Sequence, residues 1–250
     1  MNEKKDRTIK VENINELEEF NAICDYFDYL RPREFFEKRA QNNLNEIEIK
    51  EIPEGFTGEY NYEKKTIIVN KYAQEHLIKN VLTHELLHAI TYRSEISKGF
   101  KRLDLKSRQT FKGISIDEAI TEYLTQKITG VKDLKTYPIN IRVYEILKSY
   151  IGEDCFISDY LYGTNKTERV VKEKYDIEGF KIYNQIIQEL DGFTLASKHI
   201  NYLNKQDEDY ERQYKMVKDV LENVKENLPI SINLFKELCY LKTIEKYTIR

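Results

Sequence analysis

The chain has 250 residues, 40% of them hydrophobic and 33% charged, with a formal net charge of -3. That is enough apolar material for a core and too little net charge for a disordered chain. The absence of a basic excess argues against nucleic acid as a partner, and no stretch approaches the roughly 18 uncharged residues of a membrane helix. The charged start, MNEKKDRTIKVENINELEEF, lacks the apolar core of a secretory signal, so a soluble cytoplasmic protein is expected. Cys24, Cys155 and Cys239 are far apart and odd in number, which fits buried thiols in a reducing compartment.

Residues 13–43 read as helical, with Leu17, Phe20, Ile23, Cys24, Phe27 and Leu30 at helical spacing. Arg31-Pro32 breaks the run, and a second helical stretch reaches about Ala40. Ile47, Ile49 and Ile52 alternate as in a strand that Pro53 and Gly55 end. Tyr60-Asn61-Tyr62, Glu63-Lys64-Lys65 and Thr66-Ile67-Ile68-Val69 read as a hairpin, and residues 73–92 as an apolar-periodic helix. Lys98 to Lys112 reads as a basic loop forming a solvated rim. Gly113 precedes a helix over about 116–129 that ends at Gly130. Pro138 suits the first turn of a helix running to Ile151, with Gly152 after it. Residues 153–203 look helical but punctuated by Gly163, Gly179 and Gly192. Helices are expected over 205–228, with Pro229 as its stop, and over about 231–246. The expected class is α+β: a small mixed sheet in an N-terminal subdomain, 1–130, and a helical C-terminal subdomain, 131–250.

Within the helix over 73–92 stands His84-Glu85-Leu86-Leu87-His88. Two histidines four apart share one helical face, so their rings can converge on one ion. Glu85 lies about 100° further round and can act on a water at the metal's open position. Val81, Leu82, Leu86, Leu87, Ala89 and Ile90 make the surroundings apolar. A buried His-Glu-x-x-His without a metal would strand ionisable groups. A catalytic zinc usually takes a third protein ligand and keeps a fourth position open. The residues after His88, Ala89-Ile90-Thr91-Tyr92-Arg93-Ser94, offer neither the glycine nor the third histidine of HExxHxxGxxH. The best source is Asp117-Glu118-Ala119-Ile120-Thr121-Glu122, where Glu118 and Glu122 are four apart at the margin of an apolar face. Ser115-Ile116-Asp117-Glu118 also matches a capping box, which would use Glu118 at the helix end instead.

HELLH together with DEAITE resembles the gluzincin clan of zinc metallopeptidases, the thermolysin-like group. The resemblance covers about residues 66–128 and implies a zincin-like fold. By position it implies Glu118 as third zinc ligand and Glu122 as the acid that hydrogen-bonds a ligand histidine, His84. It also implies that Thr66–Val69 is the clan's edge strand, which binds substrate backbone by strand addition. No transition-state histidine motif of the clan occurs downstream. For the oxyanion donor the residues themselves offer Tyr137, at a helix N-terminus, then His199, with Tyr160 and Tyr162 weaker.

The expected function is peptide-bond hydrolysis of a peptide or protein substrate, with one Zn2+ per chain and Glu85 as general base. A protease that cleaves a single regulatory partner is a variant of that reading. The alternative is a catalytically silent zinc-binding regulatory or partner-binding protein.

Overall fold

A computed structural model describes residues 5–53, 57–94, 97–103, 111–131 and 137–203. Cys239 and the helices expected over 205–228 and 231–246 lie outside the described residues. The chain divides into two compact units, one of residues 1–94 with 121–133, the other of 95–120 with 134–250.

In the first unit, strands β1 (Arg7–Lys10), β2 (Glu46–Lys50), β3 (Gly58–Asn61) and β4 (Thr66–Asn70) form a mixed sheet in the order β1-β2-β4-β3. β2 and β4 run parallel, with Ile47 opposite Ile67 and Ile49 opposite Val69. β1 on β2 and β3 on β4 are antiparallel. Thr66 to Val69 are all buried, as an interior strand covered on both faces should be. The strand expected at the edge is therefore inside the sheet, and β3 holds the edge instead. An unbroken apolar run is the mark of a central strand, while β3, Gly-Glu-Tyr-Asn, carries the polar character of a border. β1 was not among the expected strands. Its Arg-Thr-Ile-Lys is exposed throughout and shows no apolar alternation.

Helices α1 (Glu18–Phe27) and α2 (Arg33–Asn43) pack on α3 (Glu75–Thr91), and α3 packs on β3 and β4. Phe20, Ile23, Phe27, Phe36 and Ala40 fill that core, and Phe27 stacks on Phe36 with ring centroids 5.7 Å apart. Strand β5 (Tyr92–Ser94) follows α3. Helix α4 (Ile114–Thr129) carries residues of both units.

The second unit holds β6 (Ser97–Lys98), β7 (Lys101–Leu103) and β8 (Phe111–Lys112), paired antiparallel in that order. The stretch expected as a basic loop thus contains short strands. Gly99, at φ 55, makes the tight turn that lets Lys98 pair with Lys101. Helix α5 (Pro138–Ile151) starts on its proline and ends at Gly152, φ 107. Gly163, φ 70, separates α6 (Glu153–Tyr162) from α7 (Lys166–Leu203). α7 runs straight through Gly179 and Gly192, which were expected to interrupt it. A lone glycine costs a helix only about 1 kcal/mol against alanine, and burial of Val171, Tyr183, Ile186, Ile187 and Leu190 outweighs that. Cys24 and Cys155 are buried free thiols. Among the described residues no helix is long and apolar enough to cross a membrane.

Candidate metal centre

α3 holds two histidines on one side, with His84 and His88 ring centroids 4.9 Å apart and their planes at 73°. Together with Glu118 from α4 they form a cluster able to bind a metal, their ligand atoms all lying within 4.8 Å of one another. The site is buried: relative exposure is 9% at His84, 8% at Glu85, 6% at His88, 5% at Glu118 and 4% at Glu122. The two carboxylates of α4 are therefore buried.

Glu122 lies against His84. His84 Nδ1 lies 3.1 Å from Glu122 Oε2, and the other Glu122 oxygen accepts from Gln126 Nε2 at 3.0 Å. This contact suits an Nδ1–H that donates to the carboxylate and leaves Nε2 for a metal. Two imidazole nitrogens and one carboxylate oxygen suit zinc and leave a coordination position open.

Neighbouring elements fix the histidine helix. Asn43, the last residue of α2, donates its amide to the carbonyls of Ala89 at 2.9 Å and Tyr92 at 3.0 Å. Arg39 Nη1 donates to the Ile90 carbonyl at 3.2 Å. The Tyr60 hydroxyl of β3 in turn donates to the Asn43 carbonyl. Gly58, also on β3, lies against α3. A Cβ there would fall 2.3 Å from Val81 Cγ1 and 3.3 Å from Glu85 Oε1, so only glycine lets the edge strand come this close to the motif.

The N-terminus of α4 is held by residues distant in the sequence. The helix begins at Ile114, which puts Ser115 inside it. Asp191 of α7 accepts the Gly113 N–H at 2.7 Å and the Ser115 N–H at 2.8 Å, while Ser115 Oγ donates to the Leu190 carbonyl at 2.7 Å. Burial pushes the Asp191 carboxyl up to about 6, against the opposing pull of those N–H groups and of Lys101.

Tyr137 is the N-cap of α5, with φ 51 and ψ 41, a left-handed conformation uncommon for tyrosine. His199 falls on α7 and His76 is the second residue of α3. Tyr160 is buried in the core and Tyr162 is half-buried. Lys101, read from sequence as part of a solvated rim, is drawn inside. Its ammonium lies 3.0 Å from Asp117 Oδ2 and 3.3 Å from Glu118 Oε1. Nothing in the spacing of the basic stretch distinguishes this lysine from its neighbours. Gly58 also had no sequence signal beyond being a glycine in a strand. No family model, no curated protein and no solved structure matches the chain.

Proposed function

We infer that the chain is a zinc-dependent metallopeptidase of gluzincin type, with a zincin-like fold and one zinc per chain. The observation that carries this reading is the buried Glu85 on the turn that joins His84 to His88, since a purely structural metal site needs no base there. The ligands are His84, His88 and Glu118. A zinc ion bound by them supplies a Lewis acid and brings the pKa of a water towards ~7.

Each remaining step belongs to the chain's own residues. Glu85 removes the proton of the attacking water and delivers it to the departing amine. Glu122 holds the Nδ1 proton of His84 and so keeps the ring turned and basic. β3, the edge strand beside α3, offers backbone groups to an extended peptide substrate, the part that resemblance alone gave to Thr66–Val69. Tyr137 is the first candidate for the oxyanion donor and His199 the second. The substrate is a peptide or protein in the cytoplasm.

The test compares the wild type with Glu85→Gln. Both should bind one zinc, and the variant should cleave a broad peptide library about 10²–10⁴-fold more slowly. If both bind zinc and neither cleaves, the peptidase reading fails and a silent zinc-binding regulatory or partner-binding protein takes its place.

A further inference from the structure

In the second unit the turn between β6 and β7 is fastened to the first turn of α4. The Phe100 N–H donates to Asp117 Oδ1 at 2.5 Å. Gly99 has no room for a side chain, because a Cβ would fall 2.1 Å from that same oxygen. Phe100 covers Gly113, where a Cβ would meet its Cδ1 at 2.9 Å, and stacks on Phe156 with centroids 5.8 Å apart. A turn held this firmly delivers the next residue, Lys101, to two adjacent carboxylates. Its side chain is 12% exposed, against 1% for Asp117 and 7% for Glu118. Lysine is rarely taken this far out of water unless it is paired.

We propose that Lys101 is a positioning residue that stands in for the metal: it balances Asp117 and Glu118 in the metal-free chain, keeps Glu118 aimed, and lowers metal affinity by its charge. The inference rests on reading the His84, His88 and Glu118 cluster as a metal site. Lys101 and Glu122 each steady one ligand, Glu118 and His84 respectively, but with opposite charges. Loss of orientation weakens metal binding in either case. The electrostatic effect differs in sign. Removing Glu122 takes a negative charge from beside the metal, and removing Lys101 takes away a positive one. Repulsion between an ammonium and a nearby dication outweighs the rotamer freedom of a single glutamate, so for Lys101 the charge decides the outcome.

The experiment uses the full chain stripped by a chelator, with zinc affinity read by competition against a chromophoric chelator and stability by thermal melting of the metal-free form. Lys101→Met should bind zinc about tenfold more tightly than wild type, and its metal-free form should melt lower. Lys101→Arg should return both properties towards wild type. Glu122→Gln should move affinity the other way, weakening it about 10–100-fold. Should Lys101→Met not fold, Lys101→Gln, which keeps a hydrogen bond without the charge, carries the same expectation. Unchanged or weaker zinc binding by the neutral variants overturns the proposal and leaves Lys101 a structural ion pair. If the wild type melts cooperatively yet binds no zinc, the metal-site reading itself falls and takes this inference with it.

Discussion

Replacing Asp191 with asparagine keeps the side-chain shape at the N-terminus of α4 and removes its charge. In the wild type, burial lifts the Asp191 carboxyl from the ordinary 3.8 to about 6, because desolvation exceeds the help of the Ser115 and Gly113 N–H groups. A folded-state pKa above the unfolded one means the folded chain binds this proton more tightly. The associated stability is fully present below pH 3.8 and is lost as pH rises through about 6. At ~1.4 kcal/mol per pH unit, the gap of about 2 units is worth about 3 kcal/mol. The asparagine variant has no proton to lose, so it lacks that slope. It also offers one oxygen where the carboxylate offers two, a pH-independent penalty of about 1 kcal/mol. Urea unfolding of both metal-free proteins between about pH 4 and about pH 7 separates the effects, since only the slope reports the carboxyl. The wild type should lose about 2.5 kcal/mol relative to Asp191→Asn across that range. Parallel stability curves would refute the account of a strained, buried carboxylate holding the Glu118 helix.

Gly58→Ala places a methyl group 2.3 Å from Val81 Cγ1 and should lower stability by about 1–3 kcal/mol in a thermal melt, with hydrolysis reduced because β3 is pushed off Glu85. An unchanged melting temperature would mean that β3 does not press on α3. Asn80 is buried one turn before His84, with neither amide atom hydrogen-bonded among the described residues. Asn80→Leu should therefore be neutral or stabilising by about 1 kcal/mol in chemical denaturation, and a loss above about 2 kcal/mol would contradict the lack of a partner. Zinc at a hundred times its Kd should stabilise the chain by about 2.7 kcal/mol, reversibly with a chelator, and no shift would remove the metal site.

The sequence made the site easier to read than the fold around it. His84, Glu85 and His88 lie within five residues, so one helical turn determines their relation, and Glu118 with Glu122 repeats that logic on α4. Local signals also set α5, whose Pro138 and Gly152 mark its two ends. Long-range pairing was the obscure part. Which of β3 and β4 lies at the edge depends on β2 arriving beside β4, and nothing within the hairpin reports that. Gly179 and Gly192 read as breaks because helix propensity is local, while the packing of α7 that overrides it is not. The same blindness concealed Asp191 as the cap of α4, 76 residues from Ser115, and Lys101 as a partner of Glu118.

The ties from Asn43, Arg39 and Tyr60 have a kinetic meaning for the histidine helix. The last carbonyls of a helix normally face water and fray within its final turn. In α3 the carbonyls of Ala89 and Ile90, and that of Tyr92 just beyond, accept side chains from α2, which β3 holds in turn. The turn carrying His88 then has no cheap way to open by itself. Its amide protons should exchange with solvent only when α2 and α3 come apart together, at a rate set by that shared opening rather than by helix-end fraying.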